Sequence, residues 1–572
     1  MTSDSVGGLF LDGGIVFVYF ALIIGVGLYM GRGSKSIEGF AVGNRSIPWW
    51  AVLASILAAE ISAATFLGAP GEGYALRNFT YAQLAIGTII ARVIIAFVFI
   101  KPFYDYRVVS IYEYLSLRFG TRTKNAASAI FLITRALASG TRLYVAAIVF
   151  VVGYEMLTGA ALGMWQQVWV YVISLTFITA LTSLYTAMGG IKAVVWTDVI
   201  QATIMFGSLG FAAWYLLTHI PGGWPEIVDA AHRVVLNPLI VAEKGAPAAQ
   251  AEAQAIASHA FDFWATGITP GAGFTANLFS ILNSEYTVWA ALIGSTFITL
   301  ATHGTDQDMV QRMLTAKNHQ RSRLSLILSG LADLPLVMLF LFVGILLWAL
   351  YQEPDKEAPF AYFIVHQIPP GLRGLLIAGI FATAMGSLST ALNALATSFT
   401  EDWYRPYIRP GATPAQVVRT ARISTVVFSV LLVIIGSLTA YAVIVLHSRI
   451  IPVVLGIFGY TYGSLLGVFL VGLLTKRRGS EIGNLIAMFC GFLVVAILSG
   501  LYNDIWAMFH PVLHGEEPAV LWDPAWLPHI EFTWRVFFGA VVTFAVAVSF
   551  RTPESQVEAA QEHVQRQTRM GS

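Results

Sequence analysis

The sequence predicts an all-α integral membrane protein of about thirteen transmembrane helices. Two observations carry that expectation. Of the 572 residues, 57% are hydrophobic and only 11% are charged, whereas a soluble domain carries roughly 25% charged residues. Apolar runs long enough to cross a hydrocarbon layer of about 30 Å, which takes roughly 20 residues of helix, then recur along almost the whole chain. The single cysteine, Cys490, rules out an intrachain disulfide. The balance of 33 basic against 32 acidic residues lacks the basic surplus of a nucleic-acid-binding surface.

The first expected span, 13–31, follows Asp4 and Asp12 rather than a basic segment and lacks a small-residue cleavage site, so it reads as a helix that stays in the membrane. The others fall near 49–76, 80–104, 126–153, 164–188, 192–218, 280–303, 322–350, 371–400, 418–438, 448–474, 482–501 and 532–550. Basic loops remain cytoplasmic, and they alternate cleanly here. One set of loops holds Arg32, Lys35 and Arg45; Arg107, Arg118, Arg122 and Lys124; Lys192; Arg312, Lys317, Arg321 and Arg323; Arg405, Arg409, Arg419 and Arg422; Lys476, Arg477 and Arg478. The other set holds Glu155, Glu353, Asp355, Lys356, Glu357, Asp504, Glu516, Glu517 and Asp523. The pattern predicts a multi-pass protein of the cell's inner (plasma) membrane, with its N-terminus outside and its C-terminus in the cytoplasm. Segment 219–279 is expected to form an external cap, in which Ala246–Ala260 has the helix propensity for a helix lying on the membrane surface. The polar stretch from Arg551 reads as a solvated tail.

Ionisable side chains inside such spans are costly, about 2.5–3.5 kcal/mol each at the bilayer centre, and by default mark a pathway or a buried pair. Glu60, Arg92, Arg135, Arg142, Asp198 and Asp333 are of this kind, with His303 and Asp306 near a helix end. Arg135 and Arg142 are seven residues apart and share a helix face. The run Ala58–Thr65, followed by Gly68, Pro70, Gly71 and Gly73, is small and polar in mid-span. It fits either close helix packing or a discontinuous helix whose freed carbonyls hold a cation. A second hydroxyl-rich patch runs from Thr383 to Thr390. Hydroxyl and carbonyl oxygens suit a hard cation such as Na⁺ rather than a transition metal. The sequence carries no His/Cys cluster, no nucleotide-binding loop and no catalytic nucleophile–base set. An ion gradient is therefore the expected energy source, with no enzyme activity and no organic cofactor.

Several segments together resemble the sodium/solute symporter family, whose members include sodium–glucose, sodium–iodide, sodium–proline and sialic acid cotransporters. They are Phe40-Ala41-Val42-Gly43-Asn44-Arg45 before Pro48-Trp49-Trp50, the Ala58–Gly68 run, Ser110-Ile111-Tyr112-Glu113-Tyr114-Leu115 with Arg118-Phe119, and Gly189 through Gln201. Gly304-Thr305-Asp306-Gln307 with Val310-Gln311-Arg312, and Leu392-Asn393 with Asp402-Trp403-Tyr404, complete the set. The resemblance implies two inverted five-helix repeats, as in the bacterial leucine transporter, plus extra helices. It divides the chain into 1–48, a first repeat at 49–218, the external loop 219–279, a second repeat at 280–474, two C-terminal helices in 475–550 and a cytoplasmic tail at 551–572.

The resemblance also implies a main sodium site built from the backbone carbonyls of Ala58, Ile61 and Thr383 and the hydroxyl of Ser387. Gly386 stands where the family usually has a further hydroxyl, which removes one ligand and leaves protons as the competing ion. A second sodium would use Asp198, Ser389 and Thr390; the alternative for Asp198 is a structural carboxylate on the cytoplasmic side. The Asn, Glu, Tyr-Trp and Lys of the sugar carriers' pocket are replaced here by Glu60, about Ile86, Thr302-His303 and about Asp333, which disfavours a hexose. The remaining pocket candidates are Glu60, Thr65, Gln83, Arg142, Thr299, Thr302, His303, Asp333, Tyr460 and Tyr462. The acidic groups suit an amine, the arginines a carboxylate and the two together a zwitterion. The expected function is Na⁺-coupled symport of a small solute across the lipid bilayer, against a proton-coupled symporter or a transporter-like solute sensor. Oligomeric state is not legible.

Overall fold

The computed structural model describes residues 3–31, 36–158, 162–356, 358–446, 456–514, 521–522, 524, 527, 530–560 and 562. Arg32, Lys35, Glu357, Glu516, Glu517 and Asp523 of the loop-charge pattern lie outside them, as do the first residues of the expected span 448–474 and half of the tail. Among the described residues the chain is helical, with two isolated bridge pairs, Ile47–Ala316 and Arg478–Arg551.

Among the described residues ten helices are long and apolar enough to cross a membrane, and a bent pair, Trp49–Glu60 with Ala63–Leu76, makes an eleventh span. Two places account for the difference from thirteen. The expected spans 164–188 and 192–218 form one helical run, Met164–His219, 56 residues long, kinked at Gly190 (φ 58°, ψ −155°). A side chain at Gly190 would collide with the Phe40 backbone, and its positive φ suits only glycine. The expected span 280–303 is in pieces: a short helix Phe274–Leu282, then a π-helical turn Ala290–Ser295 running into Thr296–Gly304.

Three packing groups surround the centre. Leu372–Phe399 lies against Met164–His219 and Thr121–Thr158, with Pro414–Ile444 and Ser3–Met30 outside them. His319–Tyr351 lies against both halves of the broken helix and against Leu84–Val98. There the backbones nearly touch, since a side chain on Gly73 would strike the Leu341 carbonyl and one on Gly344 the Pro70 carbonyl. Such close crossings are how small residues hold membrane helices together. Ile457–Leu474, Glu481–Leu498 and Phe532–Ser549 make the third group. Large apolar side chains such as Phe17, Trp169, Ile173 and Phe489 remain exposed on the outer helix faces, as lipid contact requires.

Segment 219–279 contains the helix expected at 246–260, observed as Ala246–Ser258. Its small face, Ala249, Ala253 and Ala257, is buried. Ala249 and Ala253 share a cavity wall with Tyr74, Arg77 and Trp348. Alanines four residues apart form a flat stripe, so this helix docks on protein rather than presenting an apolar face to lipid.

Candidate functional site

The first half of the broken helix stops at Glu60. Ile61 (φ −87°, ψ 106°) and Ser62 (φ −85°, ψ 166°) are extended, and the second half departs at 68°. Ser62 caps that second half, its hydroxyl accepting from the Thr65 amide at 3.3 Å. A helix end leaves its last four carbonyls without helical partners and carries the negative end of the helix dipole. The carbonyls around Ala58 therefore favour a cation. Ala59, Ser62 and Ala63 line a cavity whose opposite wall is Ala384, Ser387 and Leu388, so the structure brings the two small polar runs face to face. Ser387 donates to the Thr383 and Ala384 carbonyls at 3.0 and 3.1 Å, leaving its oxygen lone pairs toward the cavity. A side chain at Gly386 would come within 3.5 Å of the Ala58 carbonyl oxygen.

Asp198 is fully buried. Its Oδ2 accepts from Ser55 Oγ at 2.5 Å and from Arg312 Nη2 at 3.1 Å. The Arg312 guanidinium also donates to Thr390 Oγ1 and to Asp308 Oδ1, the latter at 2.8 Å. Thr390 and Ser389 in turn donate to the Gly386 carbonyl at 2.6 and 3.1 Å. Two of the three residues expected to hold a second sodium are thus bridged by a tethered cation, Arg312.

The three membrane-buried arginines differ in what they face. Arg92 donates to Glu60 Oε1 and to Ser329 Oγ, the latter at 2.6 Å, and His303 Nε2 stands 3.0 Å from the same Glu60 oxygen. Arg135 pairs with Asp306, and with Asp308 at 3.0 Å. Arg142 lines the cavity with Ser62, Ser139 and Ser387. It has no ion pair and no hydrogen bond among the described residues; its guanidinium carbon lies 5.2 Å from the centre of the Phe458 ring.

The remaining expected pocket residues scatter. Asp333 is half-buried, without a hydrogen bond or ion pair among the described residues. Thr65 bonds Ser62, Thr299 faces Thr88 Oγ1 at 3.2 Å, and Thr302 donates to the Ile298 carbonyl beside His303. Gln83 ties down segment 219–279, accepting from the Ala265 amide, and donates to the Thr80 carbonyl. Tyr460 bonds Asp504 and Arg535 in the third packing group, away from the cavity, while Tyr462 donates to Asp306 at 2.6 Å. Sequence reasoning missed Ser55, Ser139, Asp308 and the role of Arg312. Asp308 carried a signal, a second carboxylate two residues after Asp306; Ser55 and Ser139 carried none.

The chain is similar to known proteins along most of its length. The family model described as "Sodium:solute symporter family" matches residues 40–491. A human sodium-coupled monocarboxylate transporter is 26% identical over 520 residues, covering 88% of this chain and 73% of the relative. A sodium/sialic acid symporter from Proteus mirabilis is also 26% identical over 520 residues, covering 88% of this chain and 92% of the relative. The solved structure of a Na⁺-coupled sialic acid symporter in a substrate-bound, outward-open state superposes with a TM-score of 0.70 at 21% identity, covering 94% of this chain and 96% of the other. With the family model spanning most of its length, the chain belongs to the sodium:solute symporter family.

Proposed function

We propose that the protein is a Na⁺-driven symporter that brings a small organic carboxylate into the cell, with Arg142 as the anchor for the carboxylate. One observation carries the choice of substrate class. Arg92 and Arg135 are each paired with a carboxylate, Arg135 with Asp308 on the wall of the same cavity, whereas Arg142 lines that cavity with no ion pair among the described residues. A guanidinium presents a planar fork that fits a carboxylate bidentately, and at bilayer depth an unpaired one gains most from an anionic guest. That relatives are named for monocarboxylate and sialic acid transport supports the reading.

The coupling ion is assigned to the Ala58, Ile61 and Thr383 carbonyls and the Ser387 hydroxyl, at the negative end of the first half-helix. Because Arg312 bridges Asp198 and Thr390, the proposal has one Na⁺ rather than a separate second ion at Asp198, Ser389 and Thr390. Each Na⁺ carried inward supplies about 2.3 kcal/mol per 100 mV of membrane potential. The repeats are assigned to 49–218 and 280–474, with the N-terminus outside and the C-terminus cytoplasmic in the plasma membrane, on the support of the loop charges. The stretch that opens the first repeat is a broken helix, the feature that marks such binding sites, and the one that opens the second carries the π-helical turn Ala290–Ser295.

The test is uptake into proteoliposomes of a pooled set of labelled carboxylates, amines, zwitterions and sugars under an inward Na⁺, K⁺ or proton gradient. Uptake of a carboxylate under the Na⁺ gradient alone, abolished by Arg142→Gln, is the expected result. Uptake driven equally by protons would remove the ion assignment. Uptake of an amine unaffected by Arg142→Gln would remove the substrate class, and binding without flux would make the protein a solute sensor.

A further inference from the structure

At the far end of the second half-helix, Ala63–Leu76, another buried guanidinium stands without a carboxylate among the described residues. Arg77 caps that helix in the left-handed conformation (φ 55°, ψ 24°). Its amide donates to the Gly73 carbonyl at 3.0 Å, and its own carbonyl accepts from the Phe261 amide at 2.9 Å. Glycine or asparagine is the usual residue in this place, so arginine stands here for its side chain. The residue is 2% exposed. Nη1 donates to the Ala231 and Arg233 carbonyls at 3.3 and 2.7 Å. Nε is buried without a hydrogen-bond partner, and Nη2 makes no hydrogen bond among the described residues.

The two free positions lie on one edge of the guanidinium. There Nε–H and the nearer N–H of Nη2 point in parallel, the fork that holds a carboxylate by two hydrogen bonds. Arg77 lines a cavity of about 130 Å³, far above the roughly 10–15 Å³ that one water needs. Trp348 forms one wall, its ring centre 3.7 Å from the guanidinium carbon and its indole N–H donating to the Ala230 carbonyl at 2.8 Å. Tyr74 stands on the same wall, its hydroxyl donating to the Glu353 carbonyl at 2.7 Å. Ala249, Ala253 and Ile256 of the helix Ala246–Ser258 add apolar surface. Glu252 also reaches the cavity, but it is exposed and makes no ion pair with Arg77 among the described residues. Aromatic and aliphatic walls around one free fork fit a short organic anion.

We infer that Arg77 forms a second carboxylate site, which takes a short aliphatic monocarboxylate with its oxygens on Nε and Nη2 and its hydrocarbon end against Trp348 and the alanine stripe. The site is separate from the cavity at the helix break. No residue lines both cavities. The half-helix of 14 residues between Ser62 and Arg77 holds them about 20 Å apart. The site joins the end of that half-helix to the small face of Ala246–Ser258, so an occupant ties the two together. Its position on the outer side of the membrane rests on the orientation proposed above; its ligand class rests on Arg77 alone.

The probe is propionate, and the readout is the thermal unfolding midpoint of the full chain in detergent at constant Na⁺, since a ligand that binds only the folded state raises that midpoint. Propionamide, of similar shape without the charge, is the control. The measurement is made in Arg142→Gln, which lacks the anchor proposed for the transported solute. Propionate should raise the midpoint there, and propionamide should not. Adding Arg77→Lys keeps the charge and loses the fork. It should raise the half-saturating propionate concentration about tenfold or more, the scale of one charge-assisted hydrogen bond. Ala253→Leu fills the cavity without touching the guanidinium and should abolish the stabilisation. An unchanged response in Arg77→Lys overturns the site; should that variant not fold, an unchanged response in Ala253→Leu does so. A propionate effect in Arg142→Gln no larger than that of propionamide overturns it as well. So does an unliganded midpoint that falls as far in Glu252→Gln as in Arg77→Lys, because Glu252 would then be the partner of Arg77. Failure of the Arg142 assignment looks different: the parent's response to propionate would survive Arg142→Gln unchanged and vanish with Arg77→Lys, leaving this site standing.

Discussion

On one face of the broken helix, Glu60 meets Arg92 and, through Arg92, Ser329, on helices of the same packing group, with His303 of Thr296–Gly304 beside them. On the other face, Ala59, Ser62 and Ala63 look across a cavity at Arg142, Ser139 and Ser387, which belong to the neighbouring group. Both faces bring charge into the membrane. The first cancels it internally, and the second leaves a guanidinium and several oxygens for something that is not part of the chain. A buried pair within one group binds that group together, whereas an unpaired charge between two groups has a different state of solvation whenever the groups move apart. The comparison separates the charged residues that hold the fold from those that hold a ligand.

The largest expected effect lies on the closed face. Removing one partner of a buried pair strands the other, at a cost of about 3–5 kcal/mol. Arg92→Gln should therefore lower the stability of the purified protein by that amount, read as its unfolding midpoint in detergent, with or without solute. A near-normal midpoint would mean that the pair is solvated and that the contrast between the faces is false.

Arg142→Gln should do the reverse. With no carboxylate to strand, stability should stay within about 1 kcal/mol of the parent, as for substitutions that break no buried pair. Losing one side of a desolvated carboxylate–guanidinium contact costs about 2–5 kcal/mol, so uptake at low carboxylate concentration should fall at least about thirtyfold. A large stability loss in Arg142→Gln would place it among the structural arginines.

Ser387→Ala tests the oxygen side of the open face. Losing one hydroxyl from a cation's shell costs about 1.5 kcal/mol, roughly a tenfold rise in the Na⁺ needed for half-maximal uptake. Linkage requires the solute's affinity at fixed Na⁺ to weaken in the same variant. A change in Na⁺ dependence with solute affinity intact at saturating Na⁺ is the expected pattern. Unchanged Na⁺ dependence would remove Ser387 from the ion site.

How much of this was legible in the sequence depends on range. The broken helix is local: small residues, Ser62 as a cap and a glycine-rich continuation are neighbours in the chain, and they point to the break directly. The open and closed roles of the arginines are not local. Arg135 and Arg142 share a helix face, yet one is neutralised by Asp306 and Asp308, more than 160 residues away in the chain, and the other is not. Only tertiary packing decides which. Arg312 belonged to a recognisable motif, but that its guanidinium bridges Asp198 and Thr390 could not be read from it. The expected span count and the count of long apolar helices differ where backbone geometry departs from a straight helix, at Gly190 and at the π-helical turn Ala290–Ser295, because hydropathy registers apolar content and not continuity. Tyr460 shows the opposite error: a polar aromatic in a core span proved to bond Asp504 and Arg535 in the third packing group.

The smallest effect tests whether the break itself belongs to the fold or to the site. Ser62 serves both, capping the second half-helix and lining the cavity beside Arg142. Ser62→Ala removes the cap and should cost about 1 kcal/mol of stability, with a small fall in uptake. Ser62→Asp keeps a capping oxygen, which is as good a cap as serine, but sets a negative charge in the cavity. If the guanidinium there receives an anionic solute, this variant should unfold near the parent's midpoint and yet transport poorly, because its carboxylate competes for Arg142. Should Ser62→Asp instead transport as well as Ser62→Ala, the cavity charge would not matter to the solute, and the two faces of the helix would differ in packing alone.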